Sequence, residues 1–207
     1  VIDIACGPGG LVRTLASMGV EAVGVDAAPT MIDVARDRAG RDEKGEGHAA
    51  ARFEVCDARS LADLRRRLAD SGDSRFEGGF DAACCVLALM NIDALTEVAA
   101  GIASLLTDGG RFVGVILHPA FRSPGMTSWG WAEQAGSSTG RGAMLRRQYR
   151  RVDAYLSEQA REVVMNPGGV AKGEKPVVTL THHRPIGAYV GALAGAGLLV
   201  DAVEEWS

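Results

Sequence analysis

The chain has 207 residues, of which 47% are hydrophobic and 23% are charged, and its formal net charge at pH 7 is −4. These values are typical of a folded domain with a substantial core, and they argue against a protein dedicated to nucleic acid, whose phosphates attract clustered Lys and Arg. No uncharged apolar run reaches the roughly 18 residues of a membrane-spanning helix, so we expect no membrane partner and a cytoplasmic location.

All four cysteines lie in or beside apolar segments. None forms a C-x-x-C pair, and the adjacent Cys84 and Cys85 suit neither a disulfide nor a zinc site. We therefore expect buried thiols in a reducing compartment, which agrees with a cytoplasmic location.

Strands and helices alternate with short connections over the first 117 residues. Strands this apolar are covered by helices on both faces, so the predicted fold class is α/β with a doubly wound, mostly parallel sheet. Such sheets bind ligands at the carboxyl ends of their strands. Predicted strands cover 1–5, 22–25, 52–56, 80–86 and 111–117, predicted helices cover 10–18, 29–39, 60–69 and 94–106, and Gly109–Gly110 is a predicted turn.

The pattern changes after the fifth predicted strand, where residues 119–181 form an insertion. Residues 119–142 are rich in Gly, Ser and Pro and predict a loop that carries two tryptophans. Residues 143–164 space their apolar side chains near a helical period, which predicts an amphipathic helix. An insertion of this length in a compact domain indicates a function of its own. The remaining predictions are a strand at 177–181, a helix at 185–196 and a last strand at 198–203.

The opening segment, VIDIACGPGG, places an aspartate inside a strand that is otherwise apolar. A buried carboxylate costs several kcal/mol unless it is paired, so Asp3 predicts a cationic partner. The glycines that follow form a turn into the first helix, and such turns bring a ligand close to backbone N–H groups. By itself the turn fits either the dinucleotide spacing G-x-G-x-x-G or a looser G-x-G-x-G, so it does not decide the ligand.

Two further acids follow the second and third predicted strands. Asp26 ends the segment VGVD, 23 residues after Asp3, and an acid at that distance suits the diol of a ribose. Asp57 ends the segment FEVCD, so the three acids line one edge of the predicted sheet. No Lys or Arg is placed nearby to meet a pyrophosphate. A ligand with an ammonium, a ribose diol and an aromatic amine but no phosphate satisfies all three acids, and S-adenosylmethionine has those groups.

Residues 1–117 resemble the class I S-adenosylmethionine-dependent methyltransferases, a Rossmann-like family. The resemblance rests on five segments in the family's order: VIDIACGPGG, VGVDAAPTMIDVAR, FEVCDARSL, FDAACCVLALMNIDAL and LLTDGGRFVGVILHP. The tail LTHHRPIGAYVGALAGAGLLVDAVEEW is similar to the last helix and sixth strand of small-molecule members. The resemblance implies an enzyme that uses S-adenosylmethionine as methyl donor and releases S-adenosylhomocysteine.

The resemblance also implies which residues hold the cofactor. Asp3 is expected to meet the methionyl ammonium through water, Asp26 the ribose, and Asp57 the adenine amine. Two positions depart from the family: Ala5 replaces the usual first glycine, and Asn91 stands where relatives often carry histidine. The complete expected cofactor set is Asp3, Ala5, Gly7, Gly9, Asp26, Ala27, Met31, Asp57, Ala58, Cys85, Val86 and Leu87.

The acceptor side is predicted from residues in and around the insertion. Methyl transfer to an alcohol or phenol benefits from a general base, most often His. His118 ends the fifth predicted strand at the ligand-binding edge, so we expect it to be a substrate contact or a catalytic base. No acid is spaced with the histidines as a metal ligand would be, so no metal is expected. Further expected substrate contacts are Asn91, Arg122, Trp129, His182 and His183, with Trp131 in the same lid.

The sequence therefore predicts a methyltransferase for a small-molecule acceptor, acting at oxygen or nitrogen rather than carbon. Residues 1–118 are the predicted S-adenosylmethionine-binding core, residues 119–181 the substrate pocket or lid, and residues 182–207 the last helix and strand of the same domain. Nucleic acid and membrane are not expected partners, and a homodimer is left open.

Three alternatives stay open at this point. An RNA or protein methyltransferase would dock through the Arg-rich stretch 141–161, although the acidic balance and the lack of an (N/D)PPY-type motif after the fourth strand argue against nucleobase methylation. A nicotinamide-dependent oxidoreductase predicts an apolar first strand, and Asp3 counts against it. A cofactor-binding protein without catalysis is the third alternative, because a fold does not fix a function.

Overall fold

The structure, a computed structural model, describes residues 1–42, 51–70, 78–122, 127–135 and 144–206. The chain folds as two compact units. Unit 1 comprises Val1–Ile116 and Tyr189–Ser207, and unit 2 comprises Leu117–Ala188. The roles predicted for residues 1–118, 119–181 and 182–207 stay a prediction.

Unit 1 contains a five-stranded sheet in the order β3-β2-β1-β4-β5, and every neighbouring pair is parallel. The strand order reverses between β1 and β4, and open α/β sheets bind ligands at such a switch point. The prediction of a doubly wound, mostly parallel sheet is confirmed. The strands are β1 (Ile2–Ile4), β2 (Ala22–Asp26), β3 (Ala51–Val55), β4 (Phe80–Val86) and β5 (Leu106–Val115).

Helices alternate with these strands, much as the sequence predicts. Turns of 3-10 helix at Ala58–Ser60 and Leu89–Asn91 follow β3 and β4. Within the described ranges, no helix has the length and apolar character needed to span a bilayer. The helices are α1 (Gly10–Ser17), α2 (Pro29–Asp42), α3 (Leu61–Asp70), α4 (Leu95–Leu105), α5 (Pro119–Arg122) and α6 (Pro167–Val170) in unit 2, and α7 (Ile186–Gly195).

The core of unit 1 consists of two separate hydrophobic clusters, as expected for a sheet covered on both faces. The larger cluster packs α3, α4 and Tyr189 against the sheet, and the smaller cluster packs α1 and α2 against β2 and β3. The helical members of the larger cluster are Leu61, Leu64, Leu68, Leu95, Val98, Ile102, Leu105 and Tyr189, and those of the smaller cluster are Val12, Ile32, Ala35 and Ala39.

The ring of Phe53 in β3 packs where two glycines leave room for it. A Cβ atom on Gly24 would lie 2.8 Å from the Phe53 ring, and a Cβ atom on Gly9 would lie 2.5 Å from it. Gly9 also has φ +73°, a conformation that residues with a Cβ atom rarely adopt. The turn that leaves β1 is therefore held in place by an aromatic side chain from the edge strand β3.

The beginning of β5 differs from the sequence prediction. The strand starts at Leu106 and includes the two glycines that the sequence assigns to a turn. The pairing jumps from Phe80 opposite Leu106 to Ala82 opposite Arg111, and Gly109 has φ +77°. The glycines therefore lie in an irregularity inside the strand. The strand also ends at Val115 rather than at residue 117.

Unit 2 contains two antiparallel strand pairs. The strand β6 (Thr127–Ala135) pairs with β7 (Met144–Val152), and β8 (Gln159–Val164) pairs with β9 (Val178–His183). The predicted helix over 143–164 is wrong, because its described residues form β7 and β8. The two tryptophans lie in β6 rather than in a loop. The first four residues of the predicted loop form the helix α5. Residues 123–126 and 136–142 of the predicted loop lie outside the described residues.

The predicted last strand over 198–203 is also wrong. Residues 198–206 have no strand conformation, and Leu199 and Val203 are exposed. A strand needs a neighbour for its backbone hydrogen bonds, and none of the described strands pairs with this segment. Leu198 packs on the core and donates its N–H to the Leu193 carbonyl at 3.0 Å, and Asp201 forms an ion pair with Arg111 at 3.5 Å.

We expect Gly9→Ala to lower the free energy of unfolding by roughly 2–4 kcal/mol, because overpacking against Phe53 adds to backbone strain. Gly7→Ala is the matched control: Gly7 also has a positive φ, +53°, but an added Cβ would meet nothing within 4 Å. Gly7→Ala should lower the free energy of unfolding by about 1 kcal/mol, from backbone strain alone. Urea unfolding measures both values, and equal losses would contradict the packing argument.

Candidate active site

Loops after β1, β2 and β4 meet at the carboxyl end of the parallel sheet. Asp3 lies opposite Gly24 of β2 and Cys84 of β4 in the sheet register. Asp26 is the last residue of β2 and is close enough to Asp3 for their charges to interact. The predicted placement of these two acids at one edge of the sheet, beside the switch point, is therefore observed.

The carboxylate of Asp26 fixes the glycine loop. Its Oδ2 atom accepts a hydrogen bond from the Gly7 N–H, and its Oδ1 atom accepts one from the Ala28 N–H, both at 2.9 Å. The side chain thus joins the loop after β1 to the beginning of α2. A carboxylate oxygen has more than one acceptor position, so a diol bound to Asp26 can use the positions that remain.

The loop itself has an unusual backbone. Ala5 has φ +59°, in the left-handed region that favours glycine, and this conformation costs an alanine about 1 kcal/mol. An added Cβ on Gly7 would meet no atom within 4 Å, so there is free space beside the backbone of the loop. A loop with free space beside its backbone can accommodate a ligand close to the main chain.

Asp3 is buried, with 4% of its surface exposed. Its Oδ1 atom accepts a hydrogen bond from the Cys84 thiol at 3.5 Å. Burial raises the pKa of Asp3 to about 6; the Cys84 hydrogen bond opposes this rise, and the charge of Asp26 adds to it. The cation that the sequence analysis expects at Asp3 is the ammonium of the ligand, and it stays a prediction; among the described side chains, the neutral Cys84 thiol is the hydrogen-bond donor to Asp3.

Cys84 was not predicted to belong to the site. Burial and the neighbouring Asp3 charge raise the pKa of its thiol to about 12, so it stays protonated and acts as a donor. The sequence gives only a weak signal for this contact, because the pairing of Asp3 with Cys84 depends on the strand order.

Asp57 is held by a residue that the sequence analysis did not consider. Its side chain caps the 3-10 turn by accepting from the Arg59 N–H at 2.9 Å. The Arg59 guanidinium also donates to both carboxylate oxygens, with Nη2 to Oδ2 at 2.7 Å. The side-chain and backbone hydrogen bonds from Arg59 hold the pKa of Asp57 below its usual value. An adenine amine at Asp57 has to share the carboxylate with Arg59.

The end of β4 presents apolar side chains to solvent. Val86 and Leu87 are exposed, and Leu87 has φ +56° with its N–H donating to the Val115 carbonyl at 2.8 Å. Met31 at the start of α2 is exposed as well. Cys85, in contrast, is fully buried in the larger core cluster, and burial raises the pKa of its thiol to about 12. Three of the predicted cofactor contacts are thus accessible, whereas the Cys85 thiol is part of the core.

The remaining predicted residues of unit 1 have simpler environments. Ala27 is exposed after β2, and Ala58 is buried in the larger core cluster. Asn91 ends the second 3-10 turn and donates its N–H to the Ala88 carbonyl at 2.7 Å. None of these observations assigns a ligand contact, so the cofactor roles of Ala27 and Ala58 and the substrate role of Asn91 stay predictions.

In unit 2, His118 stabilises the start of α5. Its Nδ1 atom accepts a hydrogen bond from the Ala120 N–H at 3.1 Å, and its ring packs on Phe121 with the centroids 5.1 Å apart. When Nδ1 accepts, a neutral imidazole carries its hydrogen on Nε2, so Nε2 is a donor in this arrangement. The substrate contact predicted for His118 is compatible with this tautomer. A catalytic base at Nε2 would need the other tautomer, in which Nε2 carries no hydrogen.

His183 lies in a small buried cluster. Its Nε2 atom is 3.0 Å from the Tyr155 carbonyl oxygen, and the two rings pack edge to face. The neighbouring Arg184 is also buried and pairs with Glu158 at 3.8 Å. These contacts give His183 a structural role within unit 2. His182 is half-buried in β9, and Arg122 ends α5, but its side chain is outside the described ones.

No group of three His, Cys, Asp or Glu side chains that could hold a metal ion is present in the part of the chain that the structure describes.

Comparison with known proteins identifies the family. Residues 1–110 match the family described as "Methyltransferase domain". A crystal structure of an S-adenosylmethionine-dependent methyltransferase from Mesorhizobium loti is 25% identical to this chain, with a TM-score of 0.65 over 99% of this chain and 76% of that one. No functionally curated protein matches this chain significantly.

Two further solved structures share the fold. DesVI from Streptomyces venezuelae is 20% identical, with a TM-score of 0.53 over 97% of this chain and 75% of that one. CalS10, an amino pentose methyltransferase from Micromonospora echinaspora, is 18% identical, with a TM-score of 0.52 over 95% of this chain and 73% of that one. The chain belongs to the class I S-adenosylmethionine-dependent methyltransferases. It is an enzyme, and S-adenosylmethionine is its methyl donor.

We expect Asp3→Asn to raise the free energy of unfolding of the ligand-free protein at pH 7.5 by roughly 1–3 kcal/mol. The native pKa of about 6 lies above the ordinary value of 3.8, so the wild type is stabilised below pH 3.8 and loses this stabilisation as the pH rises through 6. The gain should therefore be small near pH 4. Urea unfolding at both pH values measures it.

Asp63→Asn is the matched control, because Asp63 is exposed on α3 and forms an ion pair with Arg66 at 3.2 Å. Its effect should stay within about 0.5 kcal/mol at either pH. A gain for Asp3→Asn that does not depend on pH would contradict the assignment to the buried carboxylate.

Proposed function

We propose that this methyltransferase methylates an oxygen or nitrogen atom of a small-molecule acceptor, with the predicted acids of unit 1 holding the donor. The observation that carries the proposal is the buried Asp3 carboxylate at the switch point of the sheet. It accepts one thiol hydrogen bond, has no cation beside it in the described chain, and adjoins a loop with free space. A ligand that places an ammonium there compensates the unfavourable buried charge of the Asp3 carboxylate.

The residues present fit S-adenosylmethionine. In this proposal Asp3 holds the methionyl ammonium and Asp26 the ribose, while the loop at Gly7 lies against the methionyl chain. Asp57 takes the adenine amine, and Met31 and Leu87 provide exposed apolar surface for the uncharged parts of the ligand. Arg59, the cation beside this set, is bound to both carboxylate oxygens of Asp57, and the carboxylates of Asp3 and Asp26 favour a ligand without phosphate.

When bound, S-adenosylmethionine supplies a methyl group on a positively charged sulfur. The protein's own contribution is to hold and align both ligands and, for a hydroxyl acceptor, to take up or direct a proton. His118 is the residue proposed for contact with the acceptor. Its Nε2–H can hydrogen-bond to the acceptor while Nδ1 keeps the ring oriented.

The acceptor-binding residues are proposed to come mainly from unit 2, which contains His118, Arg122, Trp129, Trp131 and His182. The net charge of −4 supports a small molecule over a nucleic acid, since a polyanion draws on clustered cations. The four cysteines are free and buried, which supports the predicted reducing, cytoplasmic location.

We expect Asp26→Ala to weaken binding of S-adenosylhomocysteine by roughly 1.5–3 kcal/mol, the range for hydrogen bonds to a charged group. Isothermal titration calorimetry measures the affinity. Asp63→Ala is the control variant, because it also removes a carboxylate, here an exposed one on α3. Circular dichroism checks that the fold persists. Unchanged affinity in a folded Asp26→Ala variant would remove this residue from the cofactor site.

The proposed function is tested by an acceptor screen that follows S-adenosylhomocysteine formation. The panel contains phenols, alcohols and amines, together with RNA and a protein mixture as the competing acceptor classes. Turnover with a small molecule but with neither polymer is the expected result. Turnover with RNA or protein alone, or no turnover with any small molecule of the panel, would contradict the small-molecule proposal.

On the acceptor found, His118→Ala should lower turnover at least tenfold and leave affinity for S-adenosylhomocysteine within threefold, since the ring is proposed to contact only the acceptor. His118→Asn is the discriminating variant, because its amide oxygen can still accept from the Ala120 N–H and keep the start of α5 in place. If His118→Asn retains full turnover, the ring only stabilises the helix end and has no role in the reaction.

A further inference from the structure

One side of the β6–β7 hairpin carries aromatic rings and guanidinium groups together. In the antiparallel register Trp129 lies opposite Arg150 and Trp131 lies opposite Gln148, and Arg146 is two pairs further along, opposite Glu133. Because alternate residues of a strand share a face, these side chains belong to the same side of the hairpin. We call Trp129, Trp131, Arg146 and Arg150 the Trp–Arg face.

The guanidinium groups stack on the rings of this face. The Arg146 Cζ atom lies 5.3 Å from the centroid of the Trp131 ring, and the Arg150 Cζ atom lies 5.2 Å from that of Trp129. Arg150 is also 5.2 Å from the centroid of the Phe121 ring in α5. These distances are within the range of cation–π interactions, so the positive charges are held in fixed positions beside flat apolar surfaces.

The two arginines differ in how their hydrogen-bond donors are used. The Nη2 atom of Arg150 donates to the Phe121 carbonyl at 2.9 Å and to the Thr127 hydroxyl at 2.8 Å, so Arg150 connects α5 to the hairpin. Among the described residues, Arg146 makes no hydrogen bond or ion pair. Its planar set of donors remains available to an anion, while the stacking on Trp131 fixes the plane.

The rings of the face are open to a ligand. Trp129 is 62% exposed, and Trp131 is 56% exposed. Soluble proteins seldom leave neighbouring large aromatic side chains exposed without a binding function. The opposite side of the hairpin is different, because Tyr149 lies against Gly130 there and Arg151 is paired with Asp153 at 2.8 Å.

We propose that the Trp–Arg face binds a ligand in which a flat aromatic ring carries an anionic group, and that such an aromatic anion is the acceptor class of this methyltransferase. The ring stacks on the exposed indoles, and the carboxylate or phosphate accepts from the Arg146 guanidinium. The second part of the proposal depends on the proposed function; the binding itself does not.

The charges of the face favour a small anion over a nucleic acid. Glu133 extends from the same side of the hairpin, opposite Arg146 in the register. The face thus presents two cations and one anion. Nucleic-acid binding typically uses several cations that follow a chain of phosphates, whereas a single anionic group needs only one guanidinium.

The experiment uses the full chain without cofactor and records the indole N–H signals of 15N-labelled protein during titration. The probes are 2-naphthoate, 2-naphthyl phosphate and the neutral 2-naphthalenemethanol. Trp206 in unit 1 is the internal reference, and Trp→Phe variants assign the three signals. The signals of Trp129 and Trp131 should shift and saturate with an anionic probe while that of Trp206 stays unchanged. Comparison of the two anions distinguishes a carboxylate ligand from a phosphate ligand.

Two charge-matched variants complete the test. Arg146→Gln should weaken binding of the preferred anionic probe at least fivefold. Arg147→Gln removes the same charge from the opposite side of the hairpin and should change binding less than twofold. Circular dichroism verifies that both variants are folded.

Several outcomes would overturn the proposal: no saturable shift with either anion, equal binding of the neutral alcohol, or equal losses in the two variants. Tighter binding of an octathymidine strand with a steep salt dependence would assign the face to nucleic acid instead. These titrations are made without cofactor. Loss of S-adenosylhomocysteine binding in calorimetry would therefore count against the proposed function and not against this inference, so the two failures are distinguishable.

Discussion

The carboxyl group of Asp3 is the constraint on which the candidate active site depends. It lies in the middle of the sheet with a thiol at 3.5 Å as its recorded hydrogen-bond donor, and its pKa is raised to about 6 by burial. At neutral pH the ligand-free fold therefore contains a poorly compensated negative charge. An apolar residue would fit this strand better, so above its pKa the acid reduces stability, and a bound cation offsets this cost.

The rest of the site is organised around this strand. Asp26 holds the glycine loop through the Gly7 N–H, and Phe53 packs against Gly9 at the other end of the same loop. The loop is thus fixed before any ligand arrives, with Ala5 in a strained conformation and free space beside Gly7. Fixing a binding loop in advance reduces the conformational entropy that a ligand has to overcome.

The parallel sheet of unit 1 could be predicted from the sequence because its signals are local. Apolar runs bounded by glycine turns mark parallel strands, and an acid at a strand end stays at that end in the folded sheet. The partners of these acids could not be predicted, since the contact of Asp3 with Cys84 depends on strand order and the contact of Asp57 with Arg59 on side-chain conformation. Both acids therefore have partners that the sequence analysis did not name.

Unit 2 was harder because its pairing is long-range. The spacing of Met144, Gln148 and Val152 fits one face of a helix, whereas in the pairing with β6 Gln148 and Val152 fall on the same side of the strand as Arg146 and Arg150. The choice is made by pairing with β6, where Gly130 accommodates the Tyr149 ring and tryptophans face arginines across the pair. Cross-strand contacts of this kind stabilise a hairpin, and the periodicity of one segment does not reveal them. The segment 198–203 shows the converse case, in which strand-like residues find no described partner.

The candidate cofactor site in unit 1 carries negative charge, whereas the Trp–Arg face in unit 2 carries mainly positive charge. This difference bears on which ligand each of them selects. The candidate cofactor site presents the carboxylates of Asp3 and Asp26, which attract an ammonium and repel a carboxylate or phosphate. The Trp–Arg face presents guanidinium groups on aromatic rings, which attract an anion and repel a sulfonium. A positively charged donor and a negatively charged acceptor would each be disfavoured in the other's site. In the proposed assignment, charge thus gives each site selectivity by repulsion as well as by attraction.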